Sequence, residues 1–247
     1  MPGKTFIILP AFNEEKSIGK LLIHIEQSMD DSNIRPYEVV VVNDGSEDET
    51  LYTVQQLQQR IPISILTHEV NQGLGATLRD GLFEASKRAD DRDIIVTMDA
   101  DDTHIPGLIL RMIRMLREGC DVVIASRYRP GSRVIGLSIY RKLLSLSASW
   151  LFRLLFPIPG VRDFTSGFRA YKASVIKTAI QFYGDDFVDQ DGFQCMVDIL
   201  LKLRKMNLIF REVPMILRYD LKEGKSKMNI KTTTINTLKL VIKRATK

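Results

Sequence analysis

The chain has 247 residues, 45% hydrophobic and 26% charged, ordinary globular values that exclude wholesale disorder and collagen-like repeats. Its length suits one large α/β domain better than two small ones, and 35 Lys and Arg against 30 Asp and Glu leave a formal charge of +5. Two cysteines, Cys120 and Cys195, cannot build a disulfide framework, and no CxxC or HExxH pattern offers a zinc site.

In chain order, the first half alternates short β-branched runs with amphipathic stretches. Strand-like runs are TFIIL (5–9), EVVVVN (38–43), ISIL (63–66), DIIVTM (93–98) and DVVIA (121–125), with helix-like segments near 14–28, 48–60, 75–88 and 106–118. Runs that are apolar almost throughout suit strands buried on both faces, and the alternation predicts a mostly parallel sheet flanked by helices. The N-terminus enters the first run directly, with no signal peptide, so a reducing, cytoplasmic compartment is expected.

The second half opens with residues 134–156, where leucines and Trp150 mix with Arg141, Lys142 and Arg153. Its longest charge-free stretch, Leu143 to Phe152, is ten residues, against the roughly 20 needed to cross a bilayer. The composition instead suits a helix lying in a membrane interface. DFTSGFRAY (163–171) follows, then a helix-like stretch at 193–206, a strand at 208–213 and a basic helix near 231–245. From Arg211 onward there are ten Lys or Arg against three Asp or Glu, so the first 210 residues carry a net −2. Basicity confined to one end points to a local anionic partner.

In an open parallel sheet, ligands gather at the carboxyl ends of the strands. Here those ends read Pro10-Ala11-Phe12-Asn13-Glu14-Glu15, Asn43-Asp44-Gly45-Ser46, Asn71-Gln72-Gly73-Leu74-Gly75 and Asp99-Ala100-Asp101-Asp102. The first turn has no glycine, which argues against a dinucleotide-binding GxGxxG. Asp99 and Asp101 alternate on an extended segment and can converge. Two adjacent carboxylates resist ionising unless a cation sits between them, and Mg²⁺ or Mn²⁺ would supply it while holding a substrate diphosphate. Asp101 or Asp102 would otherwise cap the following helix. Asp44 is either a turn residue or an acceptor for a nucleobase N–H, Glu14 a helix-terminal charge or a ligand contact, and Gly73 and Gly75 a turn or a close approach to a ligand.

PAFNEE (10–15), VNDGSEDET (42–50), NQGLGATLRDG (71–81), DAD (99–101) and ASRY (125–128) together resemble the family 2 glycosyltransferases of the GT-A fold. The match is nearer to the dolichol-phosphate mannose synthases and their bacterial polyprenyl-phosphate relatives, whose later motifs DFTSGFRAY and GKSKM (224–228) are similar to. The resemblance implies a GDP- or UDP-hexose donor, a divalent metal, inversion at the anomeric carbon and a Rossmann-like sheet. It divides residues 1–230 into a nucleotide-sugar half (1–128) and an acceptor half (129–230), ahead of a basic helix (231–247). Carried over by position, Pro10, Ala11, Phe12, Asn13, Glu14, Asp44, Gly73, Ala100 and Arg127 would bind the donor. Asp99 and Asp101 would be the catalytic metal and diphosphate ligands. Arg127, Arg141, Ser145, Arg218, Lys222, Lys225 and Lys227 would receive the acceptor phosphate or neutralise the diphosphate. Asp102-Thr103-His104 stand where the family usually has a Gln or Ser before the histidine, so Asp102 is the expected substitute as third metal contact. Ile105 replaces the first of two prolines, and the C-terminal membrane spans of many members are not in this sequence.

A phosphate monoester is largely dianionic at neutral pH and needs cations rather than a general base. The resemblance implies a polyprenyl phosphate acceptor at the cytoplasmic face of a membrane, with mannose favoured, which this chemistry suits, and Lys239, Lys243, Arg244 and Lys247 would reach anionic headgroups. A saccharide hydroxyl acceptor would instead require a base, with Asp189 or Asp191 in VDQDGF (188–193) the candidate. A silent nucleic-acid-binding module lacks support, since no RNP-like or helix-turn-helix pattern is present and the acidic strand ends would repel a polyanion.

Overall fold

The predicted strands form as β1 (Thr5–Ala11), β2 (Tyr37–Asp44), β3 (Ile63–His68), β4 (Ile94–Thr97) and β5 (Val122–Ser126) in a computed structural model of the chain. The structure describes residues 3–222, 235–237, 239–241 and 244, with 139–144 described by backbone alone. Helices α1 (Ile18–Asp31), α2 (Thr50–Leu57), α3 (Leu74–Arg88) and α4 (Leu108–Arg117) connect the strands.

Alternate residues of β1 and β2 enter two different cores, which explains why these runs are apolar throughout. Phe6, Ile8, Val40 and Val42 face one layer with Leu78 and Leu82 of α3. Ile7, Leu9, Val39 and Val41 face the other with Leu21, Leu22 and Ile25 of α1 and Ile109, Met112, Ile113 and Leu116 of α4. In α4 the buried residues recur at helical spacing while Arg111, Arg114 and Arg117 take the outer face.

Seven strands lie in the order β3-β2-β1-β4-β7-β5-β8, all parallel except β7. Here β7 (Arg169–Lys172) and β8 (Phe210–Pro214) come from the second half of the chain. β7 threads antiparallel between β4 and β5, so the end of DFTSGFRAY, from Arg169 to Tyr171, is drawn into the middle of the sheet, with Arg169 opposite Thr97 at the end of β4. Its first residue, Arg169, is fully buried and donates to the carbonyls of Met196 (2.7 Å) and Phe164 (2.8 Å). α6 (Ala173–Tyr183) and α7 (Cys195–Leu203) add to the core shared with α3.

The helix expected over 134–156 begins later. Residues Arg133–Ile135 form β6, which pairs with β9 (Ile216–Arg218) in a separate two-stranded sheet, and α5 runs from Ile139 to Leu155. Gly136, at φ 81°, takes a left-handed conformation that no right-handed helix contains, and only glycine fits there, since a Cβ would stand 2.6 Å from the backbone N of Asp220. The basic helix expected near 231–245 falls largely outside the described residues.

α3 rides close over the sheet at Gly81, where a Cβ would stand 2.6 Å from Ile8 Cγ2 and 3.1 Å from Val42 Cγ2. Gly81→Val therefore lowers stability by on the order of 3 kcal/mol through overpacking, seen as a lower urea midpoint with an unchanged slope.

Candidate active site

The loops after β1 and β2 are laced together. The backbone N–H of Asn13 donates to Ser46 Oγ (2.9 Å), that of Glu47 to Asn13 Oδ1 (2.8 Å) and that of Glu14 to Thr50 Oγ1 (2.7 Å). Asn13 holds φ at 50°, a left-handed conformation that asparagine tolerates. Pro10, Phe12 and Glu14 are half-buried along this rim. Ala11 and Ala100 point their side chains into the core, so only their backbone can meet a donor.

Asp44 is buried and well supplied with donors. Its Oδ1 accepts from Gln72 N (2.8 Å) and lies 2.7 Å from His68 Nδ1, and its Oδ2 accepts from Gly73 N (2.9 Å). The glycine turn is needed for a reason that spacing could not reveal. A Cβ at Gly73 would meet the carbonyl oxygen of Asp191 at 2.8 Å, one at Gly75 that of Gln190 at 1.7 Å, and Gly75 N donates to Asp191 O (2.8 Å). Gly73 and Gly75 thus make room for a distant loop of the same chain.

Beyond β4, Asp99 and Asp101 line a cleft. Asp99 keeps 40% of its side chain exposed, and its Oδ1 reaches within 3.0 Å of the point a Cβ on Gly167 would occupy. Burial raises its pKa, with the charge of Asp101 adding to the effect and His104, Lys222 and Arg127 opposing it. Asp101 is pushed up by burial but held below the usual carboxylate range by Lys222, whose Nζ lies 2.5 Å from Oδ2, and by Thr103, which donates to Oδ1 at 2.6 Å. The protein thus already sets one cation against this pair. Two carboxylates with further sites left to substrate phosphate oxygens fit the way Mg²⁺ or Mn²⁺ is usually held. Among the described residues no cluster of three or more His, Cys, Asp or Glu side chains is arranged to hold a metal.

Asp102 departs from its expected role as the third metal contact. At φ 56° its backbone turns the carboxylate to His24 on α1, 3.2 Å from Nδ1. His104 instead faces the pair, its Nε2 3.9 Å from Asp99 Oδ2 and its ring stacked on Phe168.

Among the described residues, the cations expected to take phosphate, Arg127, Arg218 and Lys222, are paired within the protein. Arg127 forks onto buried Asp163 through Nε (2.8 Å) and Nη2 (2.6 Å), and its backbone N–H donates to the same carboxylate (3.0 Å). Although burial opposes it, Asp163 raises the Arg127 pKa, and Arg127 in turn holds the buried Asp163 carboxyl below its ordinary range. Ser145 Oγ sits 2.5 Å from Tyr128 Oη, joining α5 to the loop after β5. Arg218 is spent on Asp220, with contacts of 2.9 and 2.8 Å. The backbone of Arg141 lies in α5, but its side chain, with Lys225 and Lys227, lies outside the described residues.

Asp191 is exposed on the loop that packs over the glycine turn. Asp189 is anchored to buried Lys202 (2.9 Å), and despite partial burial its hydrogen bonds hold its pKa low, which disfavours it as a base. Lys202 also meets Asp198 (2.6 Å), which Arg244 holds at 2.7 Å. Asp163, His68 and the Lys222–Asp101 pair were not picked out by sequence reasoning. Asp163 opens the DFTSGFRAY motif and could have been suspected there, whereas the other two carry no local signal.

Residues 6–179 match the model of the glycosyl transferase family 2. The chain is 31% identical to a dolichol-phosphate mannosyltransferase of Pyrococcus furiosus over 93% of its own length and 60% of that protein's. It is 29% identical to a polyprenol monophosphomannose synthase of Mycolicibacterium smegmatis, covering 92% of this chain and 81% of the relative. The fold is shared with glucosyl-3-phosphoglycerate synthase from Mycobacterium tuberculosis, solved with Mn²⁺, uridine diphosphate and phosphoglyceric acid (TM-score 0.70, 18% identity, 98% of this chain and 78% of that one).

Because its folded pKa is depressed, Asp163 contributes stability that is complete above its unfolded value of about 3.9 and lost as pH falls below it. Asp163→Asn leaves Arg127 without its counter-charge and costs about 3–5 kcal/mol at neutral pH. Denaturant titrations show it losing less than the wild type between pH 4 and pH 2.

Proposed function

The chain belongs to glycosyl transferase family 2, and from that premise we propose that it moves a hexose from a nucleotide diphosphate sugar to a polyprenyl phosphate at a membrane surface, with inversion. Mannose is favoured by the names of the relatives, with GDP or UDP as the nucleotide. Asp99 and Asp101 carry this reading, two carboxylates at the carboxyl edge of the sheet with cationic Lys222 on Asp101 and the charge of Arg127 acting on Asp99 from further off.

In this reading residues 1–128 hold the donor and 129–230 receive the acceptor. Asp44 and the rim of Pro10, Phe12 and Glu14 bind the nucleoside, and Asp99 and Asp101 hold Mg²⁺ or Mn²⁺. That ion, when bound, supplies the positive charge that stabilises the departing diphosphate. An acceptor phosphate oxygen forms the new bond to the anomeric carbon as the sugar–diphosphate bond breaks, and its electron pair leaves with the nucleoside diphosphate. No base is needed, because the phosphate is already anionic. Lys222 occupies one oxygen of Asp101; were a cation to take that oxygen, the Lys222 ammonium would be available to the acceptor phosphate. Arg127, fixed by Asp163, orients the same group.

The surface around α5 supports a membrane location. Trp150 is 67% and Leu154 79% exposed, one helical turn apart, with Leu146, Leu151 and Leu155 also outward and Arg153 stacked 5.2 Å over Trp150. The outer face of the β6–β9 sheet adds Arg133, Ile135 and Ile216. No described helix is long and apolar enough to cross a bilayer.

Asp99→Asn and Asp101→Asn each lower transfer by about 10²–10³-fold and weaken Mn²⁺ binding in calorimetry; undiminished transfer in both ends the reading. Asp191→Asn separates the acceptors, since near-complete loss with intact donor binding would favour a saccharide hydroxyl and Asp191 as its base. On anionic vesicles at low salt the protein co-floats, and Leu154→Ser weakens binding about tenfold through lost apolar burial. No co-flotation of the wild type ends the membrane part of the reading.

A further inference from the structure

His68 closes β3 directly opposite Asp44, its register partner on β2. Only 9% of its side chain is exposed. Nδ1 lies 2.7 Å from Asp44 Oδ1, and Nε2 lies 3.0 Å from Asp80 Oδ2, whose other oxygen accepts from Arg79 Nε at 2.9 Å. Each ring nitrogen thus faces a carboxylate oxygen at hydrogen-bond distance. The ring is therefore held at both ends, by the sheet on one side and by α3 on the other.

Asp44 has two further donors, the N–H groups of Gln72 and Gly73. Both come from the turn leading into α3, which itself leans on the Gln190–Asp191 loop. His68 is the donor that comes from the sheet. Without it the carboxylate would be positioned by one loop alone. With it, Oδ1 is filled from two directions and Oδ2 from one, which fixes the plane of the group and leaves its remaining acceptor capacity on Oδ2.

We propose that His68 is a positioning residue that holds the Asp44 carboxylate in the orientation from which it accepts the nucleobase N–H of the sugar donor. This rests on the reading of Asp44 as the nucleoside anchor. His68 touches no substrate and acts only through Asp44, as an outer partner orients a ligating group elsewhere.

Two isosteric replacements separate positioning from simple cross-linking. The amide nitrogen of asparagine falls near Nδ1 and that of glutamine near Nε2, so His68→Asn keeps the donor to Asp44 and His68→Gln keeps only the one to Asp80. Binding of UDP and of GDP is measured by calorimetry with Mn²⁺, alongside donor KM, kcat and Tm. For whichever diphosphate the wild type binds more tightly, His68→Gln weakens binding about tenfold and raises donor KM alike, with kcat within about twofold. His68→Asn stays within about threefold of the wild type on the same scale. Asp80→Asn, on the exposed side of the ring and safe for folding, gives a smaller loss in the same direction.

Wild-type nucleotide affinity in both His68→Gln and Asp80→Asn overturns the proposal, and so do equal losses in His68→Asn and His68→Gln that follow their Tm values. Asp44→Asn tells the two readings apart. If it binds nucleotide like the wild type, the anchor reading falls and takes the role of His68 with it. If it loses binding while His68→Gln does not, the role of His68 alone falls.

Discussion

Two carboxylates that end one strand and share one cleft repel each other, and everything around Asp99 and Asp101 can be understood as the management of that repulsion. Each additional negative charge in a partly desolvated site raises the cost of ionising its neighbour. The fold answers with Lys222 against Asp101, His104 beside Asp99 and the more distant charge of Arg127, and leaves Asp99 the more strained of the two. A structure that needed these residues only for turns would more simply have spaced them apart or replaced one with asparagine. Keeping both acids, at the edge where a parallel sheet opens, makes sense when the compensating charge arrives with the substrate.

The parallel framework was legible because burial on both faces of the sheet leaves little place for polar residues in the middle of a strand, and the runs Phe6–Leu9, Val39–Val42 and Val122–Ala125 report that directly. α4 was legible for the complementary reason, its arginines and aliphatics falling on opposite faces. β7 was not. Its buried Arg169 interrupts the apolar pattern, and the carbonyls of Phe164 and Met196 that satisfy it come from elsewhere in the chain. The roles of Gly73 and Gly75 were hidden in the same way, since the residues they make room for, Gln190 and Asp191, lie more than a hundred positions away. Local spacing announces a turn, but not what comes to rest against it.

The long-range contacts also tie the two halves of the molecule into one object. The Gln190–Asp191 loop leans on the glycine turn, the turn donates to Asp44, and the residues on either side of the loop, Asp189 and Asp198, hold buried Lys202 between them. Arg244 closes the group from the C-terminal end at 2.7 Å from Asp198. Two cations and two carboxylates in so little solvent cannot lose one member cheaply, so the group resists rearrangement. It gives the loop bearing Asp191 a firm base while leaving Asp191 itself in solvent.

The three described cations expected to bind phosphate are already engaged: Arg127 by Asp163, Arg218 by Asp220, Lys222 by Asp101. At first sight this counts against an anion site, yet the pairs differ in kind. Arg218 and Asp220 are two residues apart and half-exposed, a contact of small energetic consequence. Arg127 is clamped by a buried carboxylate that also receives its backbone N–H, so the guanidinium pays its ordering entropy during folding rather than on binding. Asp163 has no exposed surface and is turned inward, so it orients the arginine without presenting a competing anion to the cleft. Lys222 is the reverse case, an ammonium on a long side chain whose partner, Asp101, would have a competing use in the proposed metal site. A fixed guanidinium and an exchangeable ammonium are what a site needs if it must recognise one phosphate while releasing another.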